Sequence, residues 1–330
     1  MEVIMLISHR VNTFLLVLLV VMAGAIIAIL ASRSTAGPLD PPGPPSSTLP
    51  LVEPRTPIDH IPYVIGTPGS YYLTKTLYAA PGDPYGIEIL SGAVTLDLNG
   101  FGLLGTGAAS GASGISTPNV IGDVVVRNGL VSSWPGSGIH FSGPPIDVQR
   151  SAFEDLMLYG NGANGIQTGP SKIIRITSVG NGAYGIVVNA STGLSGCEIV
   201  DSYVSNVGLD GIFISSSGCS VHGNSVANAT GNGLRIYAAD STLVFDNVIG
   251  HSGSCGVSSP GFGNTIRDNT VDANAGCGIK LNGTGDTVIH NIVQNNAGMG
   301  AIPFYNNNSV GPCTSGGPVG TWTNPFWNIC

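Results

Sequence analysis

Charge is what this sequence has least of: 9% of its 330 residues are Asp, Glu, Lys or Arg, and only 11 are basic. With a formal net charge of −8 and no basic stripe, it has nothing to neutralise a phosphate backbone, which argues against nucleic acid as a partner. The same sign disfavours capture of polyanions unless a local cluster or a metal offsets it. No run of helical period follows residue 36, and no Gly-rich loop opens a helix, so a phosphate-binding loop is excluded. Cys-x-x-Cys and His-rich spacings are absent, which argues against zinc. The 6 histidines stand in no nucleophile motif, so a Ser-His-Asp reading fails as well.

What is present is glycine, 49 residues, and a 42% hydrophobic fraction concentrated in short alternating runs of Ile and Val. That composition belongs to an all-β chain with many turns rather than to a disordered one. The runs repeat. From Gly211 to Asn296 the pairs Gly211-Ile212, Gly233-Leu234, Gly256-Val257 and Gly278-Ile279 open blocks 22 to 23 residues long. In each block an apolar residue (Val221, Val244, Ile266, Val288) is followed three positions on by an asparagine: Asn224, Asn247, Asn269, Asn291. A second apolar column, Val226, Ile249, Val271 and Val293, follows two positions later. Earlier openings occur at 86, 114, 138, 165 and 185.

A step of this length is too short for a βαβ unit, so each coil must be a few short strands joined by bends. Such coils stack with backbone bonds running between them at about 4.8 Å. In Ile212-Phe213-Ile214 the outer residues then point inward and the middle one outward. The asparagine column is expected to form an internal ladder, satisfying backbone groups that a bend leaves unpaired and bonding to the amide of the next coil.

The 6 cysteines obey the same register. Cys255 and Cys277 each precede an opening glycine, and Cys197 and Cys219 each lie seven residues before a strand valine. Equivalent places on successive coils put their Cα atoms near 4.8 Å, inside the range of about 4.4 to 6.8 Å that a disulfide spans. Pairs Cys197–Cys219 and Cys255–Cys277 are therefore expected, leaving Cys313 and Cys330 to tie the C-terminal segment.

At the N-terminus, Phe14 to Ala31 is an uncharged run of 18 residues. A secretory signal ending at Ala36 fits it, and an uncleaved membrane anchor over residues 14–31 is the competing reading; either places the remainder outside the cytoplasm. Residues 37–60 are proline-rich and expected to be an extended spacer. Residues 61–85 are expected to cap a solenoid over residues 86–301, with 302–330, where Phe304, Tyr305, Trp322, Phe326 and Trp327 gather, as the opposite cap.

The chain resembles the right-handed parallel β-helix proteins of the pectate-lyase-like superfamily, and more closely a group of exported bacterial β-helix repeat proteins of unassigned activity. The resemblance rests on Glu-Pro-Arg-Thr-Pro-Ile from 53, Pro-Gly-Ser-Tyr-Tyr-Leu-Thr from 68, Thr-Leu-Asp-Leu-Asn-Gly-Phe from 95, the Gly-Ile coils, and Asn-Pro-Phe-Trp-Asn from 324. It implies a single-stranded right-handed parallel β-helix of about nine coils. Superfamily members include lyases, hydrolases, epimerases, adhesins and tailspikes, so the fold leaves function open. The Asp-Asp and Gly-His-Gly sets of its polygalacturonase-like hydrolases are missing here. The acidic cluster of its calcium pectate lyases is missing too.

Two columns could still carry chemistry. The residue after each opening pair forms an outward track suited to an extended polymer: Glu88, Ser116, His140, Gln167, Val187, Phe213, Arg235, Ser258, Lys280. On it Arg235 or Lys280 could offset a sugar carboxylate, with His140 or Tyr237 as proton carrier in a lyase or glycoside hydrolase. A solvated strand face explains the same residues without any site. The second column, Asp246, Asp268 and His290, could hold calcium or an acid pair, with Arg267 beside it as an alternative neutraliser. No organic cofactor is called for. The expected function is binding or processing of an extracellular polysaccharide along the first-sheet groove; the alternative is a non-catalytic structural or adhesion protein of the bacterial cell surface.

Overall fold

The computed structural model describes residues 55–107, 111–118, 122–141, 151–190 and 195–298, with the backbone of strands Ala301–Pro303 and Ser309–Val310. All regular elements among them are strands, and every pairing between them is parallel. An 11-stranded sheet, here sheet 1, takes one strand from each coil, and a 20-stranded sheet, sheet 2, takes the remainder. The coil beginning at Gly211 shows the pattern: Ile212–Ile214 enters sheet 1, and Ser220–His222 and Ser225–Ala229 enter sheet 2. No helix among the described residues is long and apolar enough to cross a membrane, and the run at 14–31 lies outside those residues.

β-branched side chains at alternate positions drive this arrangement, because they fit a pleated surface and stack on their equivalents one coil away. Ile186, Ile212, Leu234, Val257 and Ile279 lie side by side in sheet 1 and are fully buried. Val221, Val244, Ile266 and Val288 form a second such column in sheet 2. The opening glycines have a steric reason that the sequence pattern did not disclose. A Cβ on Gly211 would stand 2.4 Å from Val226 Cγ1 and 2.6 Å from the carbonyl oxygen of Gly233, so the coil can close only with hydrogen there.

The asparagine ladder is continuous. Asn247 donates from its backbone N and from Nδ2 to Asn269 Oδ1 at 3.0 and 2.9 Å, and Nδ2 also donates to the carbonyls of Val221 and Phe245. Asn224 donates to Asn247, and Asn269 to Asn291, with the same geometry. Shorter ladders absent from the sequence reading run through Asn161 and Asn181, through Asn274 and Asn296, and through Asn264 and Asp286. Their spacing is too short-lived along the chain to stand out as a column.

The disulfides Cys197–Cys219 and Cys255–Cys277 join consecutive coils, each with Cα atoms 4.4 Å apart. Cys313 and Cys330 lie outside the described residues.

At the ends the ladders run further than expected. Tyr63–Ile65 pairs in register with Ile87–Ile89, and Gly69–Tyr72 with Val94–Asp97, so the segment 61–85 covers the first Gly-Ile coil with strands that continue its ladders. That segment escaped the pattern because Pro62 stands where the opening glycine would be. Thr56–Ile58, within the expected spacer, pairs with Tyr71–Leu73; residues 37–54 lie outside the described residues. At the far end Ala301–Pro303 pairs with Ile279–Leu281 and Ser309–Val310 with Thr287–Val288, which carries the array past residue 301 into the segment expected to cap it. The aromatic residues gathered after 303 lie outside the description.

Candidate functional site

The column expected to face outward on sheet 1 forms in register, but two of its members, Val187 and Ser258, are buried. Glu88, Ser116, His140, Gln167, Val187, Phe213, Arg235, Ser258 and Lys280 are successive lateral partners. Val64 and Ile302 extend it at the two ends. Strand Leu234–Ile236 has its outer residues buried and its middle residue half-buried, which sends Arg235 to the surface of the groove.

Around Arg235 the track becomes a site. The ring of Tyr237 stacks on that of Phe213 with centroids 5.9 Å apart and planes at 28°, and Phe213 meets Tyr184 at 5.3 Å. The Arg235 guanidinium lies 4.9 Å from the Tyr237 centroid and 5.8 Å from that of Phe213. Its Nη1 stands 3.8 Å from Asp210 Oδ2. Asp210 is buried, 5% exposed, and its Oδ1 accepts from the backbone N and Nδ2 of Asn232 at 2.6 and 2.9 Å. The carboxylate is therefore held rigidly beneath the cation, and three rings from three successive coils make one apolar surface beside them.

Sequence reasoning placed Arg235, Tyr237 and Phe213 on this face and missed Asp210, Asn232 and Tyr184. The signal for the missed residues lay in the position just before each opening glycine. There Ser113, Ser137 and Asn164 each accept the backbone N–H of the next coil, ending on Tyr184. Asn232 bonds Asp210 and in turn accepts the N–H of Cys255, which is disulfide-bonded to Cys277. The column is chemically mixed, so only its cysteines stood out.

The other groove candidates do not converge on Arg235. His140 is four strand steps away, about 19 Å, and Lys280 two steps, about 10 Å. Neither shares a reacting centre with it. Burial pushes the His140 pKa below its ordinary value, which favours the neutral ring.

The acidic column lies elsewhere, at the bend within sheet 2. Asp246, Asp268 and His290 have φ of 54°, 56° and 55°, and Gly223 takes the same place with φ 67°. Asp tolerates this left-handed conformation better than most residues, and that accounts for the column without a ligand. Asp268 Oδ2 pairs with Arg267 Nη1 at 2.6 Å, and Oδ1 stands 3.6 Å from His290 Nδ1. Asp268 Oδ2 is thus held by Arg267, and among the described residues there is no group of three or more His, Cys, Asp or Glu that could hold a metal ion.

The family model described as "right handed beta helix region" matches residues 157–314. A search of curated protein sequences finds no match. Among solved structures, the A-module of mannuronan C-5 epimerase AlgE6 from Azotobacter vinelandii is similar with a TM-score of 0.54 and 16% identity, covering 79% of this chain and 77% of that one. The Dettilon tailspike protein gives 0.58 at 12% identity over 78% of this chain and 60% of its own. A variant of the periplasmic alginate epimerase AlgG gives 0.51 at 13% identity, over 78% and 76%. With parallel coils, stacked columns and these likenesses, the chain is a right-handed parallel β-helix protein.

Proposed function

We propose that this chain binds an extracellular polysaccharide along the outward groove of sheet 1. The observation that carries the reading is the Tyr184–Phe213–Tyr237 surface with Arg235 and Asp210 beside it, standing on a column that runs in register along sheet 1. Aromatic faces take the C–H face of a sugar, and the half-exposed Arg235 guanidinium offers donors to its hydroxyls. Two of the similar structures are named for mannuronan and alginate epimerases, which is consistent with a glycan on this fold. Of the two proton carriers expected from the sequence, Tyr237 lies beside Arg235 and His140 four strand steps away, so the patch does not bring the two together. Export belongs to the same reading: two disulfides suit an oxidising compartment.

The test is a panel of acidic and neutral glycans incubated with the purified full-length chain, with and without calcium, read by affinity electrophoresis and by product analysis. Retarded migration on at least one glycan is expected. No binding and no products across the panel would defeat the reading in favour of a structural or adhesion protein; products would show processing in addition to binding.

A further inference from the structure

We propose that the Tyr237 surface is a subsite for an uncharged pyranose ring, so that the glycan is neutral where it crosses these coils. This rests on the polysaccharide reading above and goes further by naming the substrate class.

Three observations carry it. Tyr237 is 47% exposed although its ring is stacked on Phe213 and has Arg235 over it, so about half of its surface stays open on a well-supported ring. Arg235, the cation at this place on the track, has its charge balanced by Asp210. Its guanidinium carbon lies 4.9 Å from the Tyr237 centroid and 5.8 Å from that of Phe213, and its Nη1 stands 3.8 Å from Asp210 Oδ2. Asp210 in turn cannot swing away, because Asn232 holds its other oxygen with two bonds. The formal charge of the patch is thus zero on a chain of net charge −8. A polyanion approaching it meets repulsion from the whole molecule and no surplus positive charge at the contact. A neutral ring meets neither penalty. It gains the stacking contact, and its hydroxyls can accept from the Arg235 guanidinium, whose side chain is 36% exposed. Lys280 stands two strand steps along the track, about 10 Å away, too far to pair with a carboxylate on the same ring.

The experiment measures binding of the full-length chain to neutral β-glucan, galactan and mannan beside polygalacturonate and alginate, at low and high salt. Binding to at least one neutral glycan, little changed by salt, is expected. Tyr237→Ala should weaken that binding about tenfold or more, and Tyr237→Phe should retain it. Asp210→Asn keeps the acceptor used by Asn232 but uncovers the Arg235 charge. This variant should gain salt-sensitive binding to the acidic glycans. Circular dichroism melts of each variant confirm that the coil is intact. Binding confined to the acidic glycans would overturn the neutral class and leave the groove reading standing. Neutral binding unaffected by Tyr237→Ala would overturn the subsite. Absence of binding to every glycan would overturn both.

Discussion

Two columns in this molecule share one period and differ in almost everything else. The bend column reads Asn224, Asn247, Asn269, Asn291, chemically constant and almost fully buried. The groove column over the same coils reads Phe213, Arg235, Ser258, Lys280, different at each step. A constant column marks a demand of the fold: every bend leaves the same backbone groups to satisfy, and the same amide satisfies them. A varying column is not dictated by the backbone, so its content is free to serve something outside the protein. The place where that variation becomes organised, with stacked rings and a buried carboxylate under an arginine, is where a ligand is to be sought.

The sharpest way to break this contrast is at the constant column. Asn247→Leu removes the acceptor of Asn224 and three bonds donated by Asn247 Nδ2. With several buried groups stranded, a loss of about 3 kcal/mol or more is expected in denaturant unfolding, whereas Tyr237→Ala should change the same transition by less than about 1 kcal/mol. Equal losses would dissolve the distinction between the columns.

Next in size are the staples between coils. Replacing Cys197 and Cys219 together by Ser should cost about 2 kcal/mol, since closing a short loop in the unfolded chain is what the bond contributes. A parallel drop is expected when the native chain is melted under reducing conditions, and an unchanged melting temperature would mean that the stacked backbone alone holds these coils.

Asp286 tests the ladders through pH. Buried, and with Oδ1 accepting from the backbone N of Asn264, its pKa is pushed up to about 6, with desolvation as the leading cause. Because the folded state holds its proton more tightly than the unfolded chain does, the stabilisation is complete below the ordinary carboxylate pKa of about 4. It is lost as pH rises through about 6. Stability should fall by on the order of 3 kcal/mol across that window. Asp286→Asn, which continues the ladder with an amide, should flatten this part of the curve. An identical pH profile in the variant would assign the dependence to another group.

The smallest effect is expected at the acidic bend. Asp268→Asn removes an exposed pair with Arg267 and a longer contact with His290, and should change stability by less than about 1 kcal/mol. It keeps a residue that accepts the left-handed backbone. Calcium should leave the melting curve of both native chain and variant unaltered; a calcium-dependent rise in the native chain alone would restore the column as an ion site.

Most of the fold could be read before any coordinates. The period of 22 to 23 residues sets the register, and register alone placed Cys197 beside Cys219, Asn247 beside Asn269 and Arg235 beside Ser258. These are neighbour relations, and in a stacked solenoid neighbours follow from spacing. The segment 61–85 was the exception. With Pro62 in place of the opening glycine its signature is missing, although its strands pair like the others. The site was legible only in part, because Asp210 and Tyr184 occupy a column with no single side-chain type running through it.

The sequence by itself therefore determined the solenoid, its disulfide pairing over residues 197–277 and the faces on which side chains lie, because all of these are consequences of one repeated length. Only the tertiary structure decided which of those side chains meet. Arg235 is clasped by Tyr237, Phe213 and Asp210, while His140 is left four coil steps away. The physical reason is that spacing specifies the coil a residue belongs to, whereas a stacked ring or a shared charge depends on side-chain direction and reach across coils, which no count along the chain contains.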